Sequence, residues 1–144
     1  MPTSSRTKPG TQKLSEVARK LVVPSGIVST EWPGVRDVAV NKFGLRFDRW
    51  QDGAGRLILA KRADGKLACM VGGVGMSLPR QVGKTFLIAA IIFALCVLRP
   101  GLLVIWSAHH ARTHGETFLA MQAFADRARV KPHILKVFTG SGDE

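Results

Sequence analysis

The sequence predicts an α/β fold with three layers, a parallel β-sheet covered by helices on both faces, incomplete at its C-terminal side. Three apolar runs have the length of strands, at 67–71, 102–106 and 133–138, and the stretches 86–98 and 116–130 have the pattern of helices. Continuous apolar runs are typical of parallel strands that are buried on both faces. Strands and helices therefore alternate along the second half of the chain.

The first 40 residues predict a basic leader with a short helix. Residues 1–10 are polar and contain no apolar stretch, so we expect disorder there and no signal peptide. Residues 11–22 predict a short helix with apolar side chains on one side. The Pro, Gly and Ser content of 23–40 predicts an irregular connection to a second unit, 41–144.

Two alternatives stay open for residues 57–60. They either pair with 67–71 as a hairpin across the turn at 62–65, or form the end of a helix. The glycine-rich stretch 72–75 then predicts a flexible turn after the strand at 67–71.

The residues 79–85, Pro-Arg-Gln-Val-Gly-Lys-Thr, carry the strongest chemical signal. A turn that opens a helix can hold phosphate groups with backbone N–H groups and the positive end of the helix dipole. In such a loop Lys84 would reach the outer phosphates and Thr85 would bind magnesium. The usual pattern has a glycine where this chain has Leu78, so the loop departs from it at one position.

The helix predicted after this loop is apolar on every face, which predicts burial at the centre of the domain. A membrane span is disfavoured because 13 residues of helix, 86–98, rise about 20 Å against a hydrocarbon core of about 30 Å. The Arg-Pro-Gly sequence at 99–101 is expected to end the helix.

Three segments resemble the large subunit of phage terminases. The loop 79–85 resembles that family's deviant Walker A loop, and 106–118 resembles the loop and helix that follow its second ATPase strand. The residues 47–51, Phe-Asp-Arg-Trp-Gln, resemble its adenine-recognition element. The segments cover roughly 41–144 and stand in the family's order.

The resemblance implies a P-loop NTPase-type fold that binds ATP and Mg²⁺. It assigns Gln51 to adenine, Lys84 to the outer phosphates and Thr85 to magnesium, and it places Arg80 near the outer phosphate as a candidate catalytic residue. Gln81 and Gly83 complete the nucleotide-binding set. The family's partners are double-stranded DNA, the terminase small subunit and the portal, in the cytoplasm of a bacterial host that carries a phage or prophage.

The carboxylates that such an ATPase needs are missing from this part of the sequence. After Lys84 the acidic residues are few, namely Glu116, Asp126, Asp143 and Glu144. We expect Glu116 to open a helix, where a carboxylate interacts favourably with the helix dipole. Since no Walker B strand is evident, we expect an N-terminal piece of a terminase large subunit that is not catalytically competent alone.

Composition agrees with a globular, nucleic-acid-associated chain. The 144 residues allow one domain, 46% hydrophobic content is enough for a core, and the net charge of +11 predicts a polyanionic partner or, equally, a solvated basic face. Cys69 and Cys96 lie in apolar segments, which predicts buried, reduced thiols. The histidines at 109, 110 and 114 are expected in a loop near nucleotide or DNA, not at a metal.

Two other functions remain as alternatives. One is a fragment of another P-loop ATPase of the helicase-like kind. The other is a non-enzymatic basic remnant that binds nucleic acid without ATP.

Overall fold

The computed structural model describes residues 10–69, 71–108 and 111–138. Its secondary structure is, in chain order, α1 (Leu14–Val17), β1 (Ile27–Thr30), α2 (Trp32–Asp37), a π-helical turn (Val38–Lys42), α3 (Arg49–Ile58), β2 (Ala60–Arg62), α4 (Lys84–Leu98), α5 (Ala111–Ala125) and a 3₁₀ turn (Lys131–His133). The chain is therefore a mixture of helix and strand, as the sequence predicts.

The sheet of the described residues differs from the predicted one. It has two antiparallel strands, β1 and β2, with Thr30 opposite Ala60 and an irregularity between Ile27 and Ser29. The N–H of Ala68 donates to the carbonyl of Ala60 at 2.7 Å, next to an isolated bridge between Lys61 and Leu67. Both alternatives for 57–60 are thus partly realised, because α3 ends at residue 58 and the chain then turns back beside β2.

The strand predictions for 102–106 and 133–138 are wrong for the structure as described. A strand exists only with a neighbour to complete its hydrogen bonds, and neither segment has a ladder partner within the described ranges. Exposure nevertheless alternates along the first of them, with Leu102 and Val104 at 36% and 39% and Leu103 and Ile105 at 81% and 83%. This period of two is typical of an extended chain with one side against the protein.

The first 40 residues hold more structure than the sequence predicts, as far as they are described. The helix expected over 11–22 is confined to α1, because the backbone at Ala18 is already extended. The irregular connection expected over 23–40 is wrong, since it contains β1, α2 and most of the π-helical turn. Pro33 lies in the first turn of α2, where a missing N–H costs nothing. The expected leader 1–10 falls outside the described residues except for Gly10.

The core lies between α2, α3, α4 and the end of α5. Trp32 and Leu87 are completely buried, and the ring of Trp32 meets that of Phe47 edge to face at 5.1 Å between centroids. Phe93 stacks on Phe124 at 5.0 Å, which joins α4 to α5. Small residues of α4 are buried at these contacts and allow the helices to approach, namely Ala89, Ala90 and Ala94.

The predicted burial of α4 on every face is wrong at its C-terminal end. Leu98 and Cys96 are exposed there. The prediction of buried thiols is therefore wrong for Cys96, and Cys69 is only half-buried. The helix ends at Leu98, as the Arg-Pro-Gly sequence predicts. No helix in the described ranges is both long and apolar enough to cross a membrane.

Two polar clusters fix the helices that carry the site. Asp52 of α3 accepts hydrogen bonds from the indole of Trp32 at 2.8 Å and from Arg36 at 2.9 Å. Glu31 accepts from Arg99, at the end of α4, and forms an ion pair with Lys61 at 3.3 Å. Burial opposes the ionisation of Glu31, but the bonds from these two cations outweigh it and hold its pKa below the ordinary value.

Candidate functional site

The N-terminus of α4 presents backbone N–H groups that have no partner within the helix. Gly83 is the N-cap residue in the left-handed conformation, with φ 87° and ψ 22°, and as a glycine it has no side chain to cap the helix. Its carbonyl accepts the first helical bond, from the N–H of Leu87 at 3.0 Å. The N–H groups of Lys84, Thr85 and Phe86 precede that bond and have no partner inside the helix. Together with the helix dipole they favour an anion.

The loop before α4 is held in an unusual conformation. Gln81 has φ 63°, the one positive φ of a non-glycine residue in the described part of the chain. Such a residue costs about 1–2 kcal/mol, and conformations of this kind are concentrated at binding sites. Nothing in the residue types of 79–82 predicted this feature.

Gln51 connects α3 to this loop. Its side chain is 4% exposed, its Oε1 accepts from the N–H of Asp48 at 2.9 Å, and its Nε2 donates to the carbonyl of Gly83 at 3.2 Å. The first bond belongs to the capping box at the start of α3. One N–H and one lone pair of the amide remain, so the predicted contact with adenine stays a prediction.

A cleft of about 1010 Å³ opens in front of the loop. One wall consists of loop and α4 residues, namely Pro79, Arg80, Gln81, Gly83, Lys84, Thr85 and Phe86. The structure thus brings five of the six predicted nucleotide-binding residues to one cleft, and the sixth, Gln51, contacts the loop at Gly83. This volume lies at the upper end of the range of about 300–1,000 Å³ that is typical of small-molecule sites.

The opposite wall includes residues outside the predicted nucleotide-binding set. It is formed by Trp106, Ser107 and Ala108 and by one face of α5, with Thr113, Glu116, Thr117 and Ala120. The spacing of these four α5 residues, at i, i+3, i+4 and i+7, is the signal that could have identified them as one face of a helix.

The prediction for the segment around Glu116 needs correction. The helix was expected at 116–130, but α5 runs from Ala111 to Ala125, so Glu116 does not lie in the first turn. Its carboxylate therefore does not cap the helix dipole as predicted; Glu116 lines the cleft instead. The loop expected around the histidines at 109, 110 and 114 is correspondingly shorter, because α5 already begins at Ala111.

The charges of the cleft favour a polyphosphate. Lys84 and Arg80 are exposed on the loop side, next to the hydroxyl of Thr85. No group of three or more potential metal-ligating side chains occurs in the described ranges. Magnesium that arrives with phosphates needs few protein ligands, because phosphate oxygens and water fill most of its coordination sphere. His109 and His110 fall outside the described residues, and His114 is exposed.

Comparison with family models, with curated proteins and with solved structures found no match to this chain.

Proposed function

We propose that the chain binds ATP with Mg²⁺ in this cleft and is the ATP-binding portion of a terminase large subunit, the motor that packages phage DNA. The observation that supports it best is the uncapped start of α4 behind Gly83, which faces a nucleotide-sized cleft beside Lys84 and Arg80. N–H groups without a partner in the helix, a positive helix end and two exposed cations together favour several adjacent negative charges.

Each loop residue has a proposed role. The N–H groups of the first turn of α4 bind the β-phosphate, Lys84 bridges the outer phosphates, and the Thr85 hydroxyl binds magnesium. Arg80, on the outer part of the loop, stabilises charge on the terminal phosphate. Gln51 holds the Gly83 carbonyl and uses its remaining donor and acceptor for adenine.

The family assignment rests on the three motifs at 47–51, 79–85 and 106–118 and on their order. The contact of Gln51 with Gly83 supports it, because it joins two of these motifs physically. The assignment carries further proposals: double-stranded DNA, the small subunit and the portal as partners, the bacterial cytoplasm as location, and a P-loop parallel sheet. In that sheet, residues 102–106 would pair with a neighbouring strand, and the alternating exposure of 102–105 is that of an extended chain.

Thermal unfolding with and without Mg-ATP tests nucleotide binding. A ligand that binds only the folded state stabilises it by about 2.7 kcal/mol at a concentration of 100 Kd, so the melting temperature should rise and the rise should saturate. Lys84→Ala should abolish this rise. Lys66→Ala is the matched control, because Lys66 is an exposed lysine in the turn after β2. This substitution should leave the rise in melting temperature unchanged. An absent rise in the wild-type chain, or an equal rise in Lys84→Ala, would contradict the proposal.

A further inference from the structure

A second surface of the molecule forms where two distant segments meet. Arg129 donates from Nη2 to the carbonyl of Asn41 at 2.6 Å, and the ring of Phe43 lies 5.6 Å from that of His133. Phe43 is buried against Phe124 as well, at 6.5 Å between ring centroids. These contacts bring residues 38–47 and 127–138 together, and we call the surface that these two segments form the 42/131 surface.

The 42/131 surface is strongly basic. Its two segments contain six Lys and Arg residues and no Asp or Glu, and all six are exposed: Lys42, Arg46, Arg127, Arg129, Lys131 and Lys136. The acidic residues that flank the segments are Asp37, Asp48 and Asp126, and Asp37 accepts a hydrogen bond from Asn41 at 2.6 Å. A positive field of this kind attracts acidic partners and orients them as they approach.

An apolar pocket opens within this surface. It has a volume of about 230 Å³ and is lined by Phe43, Phe93, Cys96, Val97, His133 and Ile134. This is below the range of about 300–1,000 Å³ that is typical of small-molecule sites. A pocket of this size and lining suits one large apolar side chain, the kind of anchor that contributes most at protein interfaces.

We propose that the 42/131 surface docks an acidic peptide segment of a partner protein, with one bulky apolar side chain of that segment in the pocket. The positive charge of the surface favours an acidic segment, and the apolar lining of the pocket favours a bulky apolar side chain as its anchor. A nucleic acid fits less well, because the lining offers only an imidazole and a thiol as polar side-chain groups, and a base buried there would lose hydrogen bonds. The evidence for this docking is separate from that for nucleotide binding, since the pocket shares no lining residue with the cleft.

Fluorescence anisotropy with a labelled peptide of alternating Asp and Glu and a single central Phe tests the proposal. We expect saturable binding, and affinity lower by about tenfold or more for the same peptide with Ala in place of Phe. Equal binding of the two peptides would overturn the proposal, because the pocket would then be unused. Absence of binding would overturn it too.

Variants locate the binding on the protein. The double change Lys42→Glu with Lys131→Glu should strongly weaken binding of the Phe peptide. The control, Lys20→Glu with Lys66→Glu, makes the same charge change at exposed sites outside both segments and should weaken binding much less. Cys96→Trp should fill the pocket from an exposed position and reduce the tenfold preference for Phe. Circular dichroism verifies folding of each variant. Equal effects of the two double changes, or competition by duplex DNA that binds more tightly than the Phe peptide, would contradict the assignment.

Discussion

The side-chain amide of Gln51 donates to the carbonyl oxygen of Gly83 at 3.2 Å, so the start of α3 is bonded directly to the start of α4. The same carbonyl accepts the first helical bond of α4, from Leu87. A change at the beginning of α3 is therefore transmitted to the backbone that faces the cleft. This link gives the aromatic-Gln segment at 47–51 a structural role in the loop, in addition to its proposed role in adenine recognition.

Gly83→Ala should destabilise the fold and weaken nucleotide binding. An alanine with φ near 87° costs about 1–2 kcal/mol. Its Cβ would also lie 2.7 Å from Nε2 of Gln51, so the amide must move and lose a hydrogen bond worth about 1 kcal/mol. Gly65→Ala is the control, because Gly65 also has a positive φ, 76°, with nothing within 4 Å of an added Cβ. Urea unfolding should show the larger loss for Gly83→Ala; equal losses would mean that the Gln51 contact contributes nothing.

Gln51→Ala should lower the free energy of unfolding by about 1–3 kcal/mol, because the half-buried carbonyl of Gly83 and the N–H of Asp48 each lose a hydrogen-bond partner. Urea denaturation without nucleotide measures this loss. A change below the error of that measurement would show that water replaces the amide at both positions.

The same variant tests adenine recognition. If Gln51 contacts the base, Gln51→Ala should lower affinity for ATP more than for GTP, since an amide oriented for the amino donor and ring-nitrogen acceptor of adenine meets the O6 acceptor of guanine where it needs a donor. Titration calorimetry with both nucleotides gives the ratio. An equal loss for ATP and GTP would restrict Gln51 to positioning the loop.

Asp52→Asn should reduce the dependence of stability on pH at the acid end. Burial opposes the ionisation of Asp52, but the hydrogen bonds from Trp32 and Arg56 and the charges of Arg56 and Arg36 outweigh it, so its pKa lies below the ordinary 3.8. A lowered carboxyl pKa contributes stability that is present above the ordinary value and is lost as the pH falls through the folded-state pKa. The free energy of unfolding, measured from neutral pH to below 3.8, should fall less steeply with falling pH in the variant than in the wild-type chain. Identical acid profiles would contradict this.

The 144-residue chain should bind ATP yet hydrolyse it slowly. Glu116 is the one carboxylate among the residues that line the cleft in the described part of the chain. Hydrolysis needs a carboxylate that holds magnesium as well as a group that orients water. A phosphate-release assay should therefore give little turnover. Turnover at ordinary ATPase rates that disappears in Lys84→Ala would show that the cleft is catalytically complete.

The start of α4 was predictable from the sequence, whereas the helical face that forms part of the opposite wall of the cleft was not. Gly83, Lys84 and Thr85 indicate a phosphate loop because a glycine before a helix start is a local signal, and α4 begins at Lys84. Glu116 was misassigned because the start of α5 could not be located to within five residues. The strand expected at 102–106 depends on a neighbouring strand, and a partner distant in the sequence leaves no local pattern. Pro33 was taken as part of an irregular connection, although at a helix start it is favourable.

The most direct test of the central claim is a crystal structure of the chain with Mg²⁺ and a non-hydrolysable ATP analogue. We expect the β-phosphate within hydrogen-bonding distance of the N–H groups of Lys84 and Thr85, with the Lys84 ammonium on the outer phosphates and the Gln51 bond to Gly83 intact. A nucleotide bound elsewhere, or a closed loop with the Lys84 ammonium in bulk water, would contradict it.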